Sequence, residues 1–129
     1  MSRENLEVVR ESFRCFNEQD WERFGSFYNT AAVVHGPEGW PETGAQGRVE
    51  IVAAFRRIRE EGVASRVHDA NFFCHGDFVI AQYFWVVTGS ASGLSEERAM
   101  SAVWRFEGGK IVETQYFWGH SAALKAVGA

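Results

Sequence analysis

Residues 104–118, Trp-Arg-Phe-Glu-Gly-Gly-Lys-Ile-Val-Glu-Thr-Gln-Tyr-Phe-Trp, read as a strand, a glycine turn and a second strand. Aromatic and β-branched residues run through both arms almost without a break, so both faces of this hairpin need cover. Helices can cover one face. The other needs something else, often a second subunit. The feature constrains the architecture far more tightly than it constrains the chemistry.

With 129 residues, 46% of them hydrophobic, the chain can bury a core without disulfides or a metal, and residues 1–129 are read as one domain. Eleven Phe, five Trp and three Tyr must pack a core, line an apolar cavity or seal an interface. A net charge of -4 without a run of Lys or Arg argues against nucleic-acid and anionic-membrane surfaces, leaving neutral or apolar partners. No stretch is apolar for the roughly 18 residues of a membrane span, and the opening Met-Ser-Arg-Glu-Asn has no secretory core, so a cytoplasmic protein is expected. Cys15 and Cys74 share no metal or redox spacing and read as ordinary thiols.

Leu6, Val9, Phe13 and Phe16 recur at helical spacing, which predicts an amphipathic helix over residues 4–17. Asp20 offers an N-cap for a second helix with Trp21, Phe24 and Tyr28 as its buried stripe. A short β-like run over residues 31–35 ends at Gly36-Pro37, and a loop carrying Trp40 follows. The third helix covers residues 48–61 and buries Ile51, Phe55 and Ile58. Beyond Gly62 the period becomes strand-like, with strands at residues 66–74, 78–88, 96–106 and 111–118 and a helical or capping tail over residues 121–127. The plan is α+β: a curved antiparallel sheet wrapped around three N-terminal helices.

In order and spacing the chain resembles the cone-shaped fold of the nuclear transport factor 2-like superfamily, to which the ketosteroid isomerases belong, and more narrowly its SnoaL-like members. The resemblance rests on Asn17-Glu-Gln-Asp20-Trp21, Gly39-Trp-Pro-Glu42, Gly47-Arg48, Ser92-Gly93, Gly109-Lys110-Ile-Val112 and Ala123-Leu124-Lys-Ala-Val-Gly128. It implies an internal apolar pocket at the wide end of the cone. It does not imply one function, because folds of this kind host many chemistries. Threading the strands on the Pro37 and Gly109-Lys110 turns puts Gln82, Phe84, Val86, Met100, Ala102, Trp104, Thr114, Tyr116 and Trp118 inward. Tyr83, Trp85, Val87, Val103, Gln115 and Phe117 then face outward, and a homodimer through Tyr83, Trp85 and Phe117 is expected.

Carrying over the superfamily's acid/base groups finds none of them. The ketosteroid isomerase Tyr, base and oxyanion Asp fall at Ser12, Gly36 and Ala102. The Asp of the polyketide cyclases falls at Tyr116, and a further relative's terminal Asp falls at Gly119. Candidate acid/base or hydrogen-bonding groups are then His35, Tyr116 and His120, since an imidazole titrates in the useful range. Each also has a plain reading: Tyr116 as a packed aromatic, His35 as the end of a strand, His120 as a surface group. His68 and His75 read as exposed, and Asp69 as an inward carboxylate only if the register is shifted by one. No pair of His has metal-ligand spacing, and neither metal nor cofactor is expected. The expected ligand-lining set is Trp40, Gln82, Phe84, Met100, Trp104, Thr114 and Trp118. Two functions follow. One is binding of a small hydrophobic molecule, polyketide-like or polycyclic, with lyase or isomerase activity left open. The other is a non-catalytic interaction or assembly module with a vestigial pocket.

Overall fold

Four helices and one curved six-stranded sheet make up the described residues, 2–38, 44–60, 66–88 and 95–128, of the computed structural model. In chain order they are α1 (Ser2–Glu18), α2 (Trp21–Ser26), β1 (Tyr28–His35), β2 (Gly44–Gln46), α3 (Arg48–Glu60), β3 (Arg66–His75), β4 (Phe78–Thr88), β5 (Ser95–Glu107), β6 (Lys110–Trp118) and α4 (Ala122–Ala126). The sheet runs β2-β1-β6-β5-β4-β3. All neighbours are antiparallel except β1 and β6, which pair in parallel. This is the α+β cone that the periodicity and the resemblance led us to expect.

Helices α1, α2 and α3 lie against the concave face of the sheet. Val9, Ser12, Cys15 and Phe16 form the buried stripe of α1, while Arg10 and Arg14 stay in water. Gln19, at φ 61°, turns the chain between α1 and α2, and the Asp20 carboxylate accepts from Arg23 N at 3.3 Å to cap α2. Two polar clasps then fix helices to strands. The Asn17 side chain donates to Val67 O at 3.0 Å and accepts from Val67 N at 2.9 Å, standing in for a strand neighbour where β3 begins. The Arg48 guanidinium donates twice to Tyr28 O, at 2.9 and 2.6 Å, tying the start of α3 to the start of β1.

Pairing decides which side chains face the helices. Met100 pairs with Tyr83 and with Trp118, Ala102 with Ala81 and Tyr116, and Trp104 with Val79 and Thr114. The inner face of β4 is therefore Val79, Ala81, Tyr83 and Trp85, all in the main core. The expectation for β4 is overturned: Gln82 and Phe84 face outward, and Tyr83 and Trp85, expected in a dimer surface, are 1% and 4% exposed inside the protomer. The cause is the parity of the connection. A five-residue turn at Gly89–Gly93 would align residues of equal parity, but Thr88 pairs with Ser95, six residues lie between them, and this aligns opposite parity. The assignment on β5 and β6 does not depend on that loop and is unaffected.

The outer face is partly covered by the chain's own tail. Ala123 packs with Ile80 and Val103, and Phe78, Phe117, Leu124 and Val127 close around them. Residues 44–46, read in sequence as loop, form a short strand beside β1. Gly44 is required there, because a Cβ would lie 2.6 Å from Val34 O.

Candidate functional site

The helix-facing side of the sheet encloses an interior lined almost wholly by rings. Phe13 meets Tyr83 edge-on at 4.9 Å and Trp104 at 5.6 Å, and Tyr116 meets Phe55 at 5.8 Å and Trp104 at 6.1 Å. Such offset contacts suit the ring quadrupoles and hold the side chains in register. Two small cavities remain. A rim cavity of about 30 Å³ lies among Val34, Gly36, Pro37 and Ala45 on the β1–β2 side and Ala54 and Ile58 of α3. A deep cavity of about 20 Å³ lies among Phe13, Phe24, Tyr28, Tyr83 and Trp104. Phe55, Trp85 and Tyr116 line both and so form the partition between them.

The polar atoms of this interior are neutral ones. Tyr28, Tyr83 and Tyr116 are each buried, and burial pushes all three phenols above their ordinary value. At Tyr28 the rise is offset in part by the Trp104 N–H and the Tyr116 O–H directed at its oxygen. The contact between Trp104 Nε1 and the Tyr28 oxygen falls short of full hydrogen-bond geometry and is a weak one. Thr114, paired across the strands with Trp104 and fully buried, has an unpartnered hydroxyl. Among the described residues no Asp, Glu, His, Lys or Arg lines either cavity.

The imidazoles expected as acid/base groups lie elsewhere. Tyr28, Ala32 and Val34 are the buried residues of β1, so His35, next after Val34, faces out, and its Nε2 sits 3.0 Å from Glu113 Oε2 on the outer side of β6. Arg105 Nε approaches the other Glu113 oxygen at 3.6 Å. Gly119, at φ 80°, turns the chain out of the sheet and carries His120 over the outer face. There the His120 ring Nε2 donates to Tyr83 O at 3.1 Å, its own carbonyl accepts from Gln82 Nε2 at 2.5 Å, and its ring stands edge-on to Phe84 at 5.0 Å. His68 stacks on the other side of Phe84 at 5.8 Å, with Nε2 2.7 Å from Glu97 Oε1, and His75 is exposed at the end of β3.

Of the expected lining residues, Trp104 and Tyr116 reach the cavities. Met100 and Thr114 lie on the inner face but are sealed in the core. Trp118 sits at the rim, 36% exposed, its Nε1 donating to Glu38 O at 2.8 Å. Gln82 and Phe84 face away, for the parity reason above. Trp40 lies outside the described residues, as does the side chain of Asp69. Among the described residues no three His, Cys, Asp or Glu side chains are grouped to hold a metal ion, and no helix is long and apolar enough to cross a membrane.

The profile of the SnoaL-like domain matches residues 9–114. The chain belongs to this family. Solved structures agree on the fold of this SnoaL-like chain. A nuclear transport factor 2-like protein of unknown function from Burkholderia pseudomallei is 22% identical, with a TM-score of 0.78 and all of both chains covered. TerC, co-crystallized with polyporic acid, is 19% identical, with a TM-score of 0.78 over 96% of this chain and 97% of its own. A putative isomerase from Bacillus subtilis is 20% identical, with a TM-score of 0.75 over 98% and 94%. No curated protein matches the sequence.

Sequence reasoning missed Tyr28, Phe55, Tyr83 and Trp85 as site residues of this SnoaL-like chain. Tyr28 was masked by its spacing from Trp21 and Phe24, which mimics a helix stripe, although it opens β1. Phe55 was legible as a buried helix residue, and only the packing shows that it divides the interior.

Proposed function

We propose that this SnoaL-like chain binds a small, neutral, mostly apolar molecule inside the cone and holds it by hydrogen bonds from uncharged groups, Tyr116 first among them. The observation that carries this reading is the lining itself: closely packed rings with protonated phenols and, among the described residues, no carboxylate, imidazole or cation on either cavity. Proton transfer of the isomerase kind gains about 10²- to 10⁴-fold from a positioned acid or base, and the described lining of the two cavities carries none. His35 and His120 lie on the outer face, held by Glu113 and by Tyr83 O, and are not a catalytic pair inside the cone. TerC, which shares this fold, was co-crystallized with polyporic acid, and that supports ligand binding by the fold.

Cavities of about 20 and 30 Å³ are far below the roughly 300–1,000 Å³ of small-molecule pockets. A ligand therefore enters by displacing the partition of Phe55, Trp85 and Tyr116. The same volumes favour the second reading, a scaffold whose interior stays closed. A thermal-shift screen with neutral ring compounds separates the two. A ligand at 100 times its dissociation constant adds about 2.7 kcal/mol, or roughly 10 °C in a domain of this size. No shift with any neutral ring compound up to its solubility, in a folded sample, rejects binding in favour of the scaffold.

A further inference from the structure

We propose that the groove between the start of α1 and the β3–β4 and β5–β6 turns binds a small alkylammonium ion, held by the buried amide of Asn5. This groove lies at the end of the sheet away from the Gly36-Pro37 turn and is independent of the function proposed above. Its volume is about 540 Å³, within the roughly 300–1,000 Å³ of small-molecule sites. Glu4, Asn5 and Val8 of α1 form one wall, and Asp77, Phe106 and Glu107 the other. Phe106 N donates to Asp77 O at 3.2 Å and so ties the two turns together. Asn5 sets the groove apart from an ordinary acidic surface. It lies on the helix stripe that continues as Val9, Ser12 and Phe16, where a plain core would hold an apolar residue, and it is only 7% exposed. Among the described residues its side chain has no hydrogen-bond partner, and what remains accessible of it opens on the groove. A buried amide is costly unless it is bonded.

An amide both donates and accepts, so the charge around it decides which partner it takes. Three carboxylates line the groove and, among the described residues, no Lys, Arg or His does. Arg105 reaches Glu107 at 3.8 Å from the outer face of the sheet, and the Lys110 ammonium is bound to Ser26 O at 2.7 Å. Glu4, in the first turn of α1, opposes the positive end of the helix dipole. The described carboxylates are not grouped closely enough to hold a metal ion, whereas Val8 and Phe106 offer contact to hydrocarbon. An ammonium head on a short apolar stem meets each condition. Its N–H bonds Asn5 Oδ1, its charge faces Asp77 and Glu107, and its stem lies on Val8 and Phe106. The amide counts for more than the charges: a hydrogen bond to a charged group is worth about 10- to 150-fold in affinity, and an exposed ion pair at most about 5-fold.

The test titrates the full chain at pH 7, where an alkylammonium is charged, with n-butylammonium, n-butanol and butyrate, and follows the backbone amides by NMR. Support is a set of saturable shifts centred on Asn5, Asp77, Gly108 and Gly109 with butylammonium and with neither of the other probes. The affinity falls about 10- to 150-fold in Asn5→Leu, and at most about 5-fold in Asp77→Asn or Glu107→Gln. If Asn5→Leu does not fold, the two exposed carboxylate variants and the preference of wild type for the ammonium over the alcohol decide. Butanol binding as tightly as butylammonium overturns the inference, and so does an affinity unchanged in Asn5→Leu. Shifts spread over the whole surface, or absent from those four amides, overturn it as well. Calcium ion displacing butylammonium from the same amides replaces the organic cation by a metal and overturns it. Nα-acetyl-lysine methylamide carries the same head on a peptide stem, and tighter binding of that probe overturns the free amine in favour of a protein lysine. None of these outcomes bears on the interior of the cone.

Discussion

Alkaline titration tests the interior directly, because the chain has three tyrosines and all three are buried in it. In an unfolded chain a phenol ionises near pH 10. Here burial raises Tyr28, Tyr83 and Tyr116 above that value. Above about pH 10 the unfolded state therefore binds fewer protons than the folded state, and stability falls as pH rises. The stabilisation is complete below pH 10 and is lost as pH climbs toward the folded-state values. Between pH 10 and pH 11 the unfolded phenol goes from half to mostly ionised, so each raised phenol removes about 1 kcal/mol and three remove about 3 kcal/mol. That is a large share of the roughly 5–15 kcal/mol that holds a domain together. Tyrosinate absorbance and near-ultraviolet circular dichroism, followed together, should change in one cooperative step: phenols ionise when the fold opens. A tyrosinate signal rising with a midpoint near pH 10 while the dichroism stays native would refute the buried placement and the ring-lined interior with it.

Other expectations follow from the clasps and the faces. Asn17→Ala removes both bonds to Val67 and leaves the start of β3 without a neighbour there, which costs about 1–3 kcal/mol in urea unfolding; a change below about 0.5 kcal/mol would show that the clasp is idle. Trp104→Ala hollows the middle of the core and costs about 3–5 kcal/mol by the same measurement. His35→Ala breaks a half-exposed contact with Glu113, costs less than about 1 kcal/mol, and leaves the binding of neutral ring compounds unchanged; loss of binding would place the site on the wrong face. The homodimer stays a proposal, with its surface moved to the outward residues Phe73, Phe84 and Phe117; a wild type that sediments as a monomer at micromolar concentration rejects it.

Element boundaries were legible because they follow from period. The stripe Val9, Phe13, Phe16 and the change of rhythm after Gly62 reflect how one face meets the core, and the observed α1, α3, β3 and β4 begin and end within a residue or two of the reading. Facing was legible only in part, because turn lengths and bulges set it. The Gly108-Gly109 turn pairs Glu107 with Lys110 and Phe106 with Ile111, residues of opposite parity, and the register shift between Arg105 and Phe106 then sets Trp104 opposite Thr114 and Ala102 opposite Tyr116. The β4–β5 pairing differs by one residue from the one read in sequence, which reversed Gln82, Tyr83, Phe84 and Trp85. The tail was legible as a cap, but not that Ala123, Leu124 and Val127 supply the cover that two apolar sheet faces demand. His35 and His120 were legible as reactive residue types. Their direction was set by a strand neighbour and by the turn at Gly119, neither of which composition encodes.

The parallel pairing of β1 with β6 has a consequence for how the chain comes to be folded. It joins segments from opposite ends of the polypeptide, bringing together His35 and Glu113, 78 residues apart. A chain emerging from the ribosome exposes Ala32 and Val34 long before their neighbour on β6 exists. Distant contacts of this kind slow folding, because the loop they close loses entropy before any pairing rewards it. During that interval β1 is an open strand edge flanked only by the three residues of β2, and it is the segment most exposed to chaperones or to a second nascent chain.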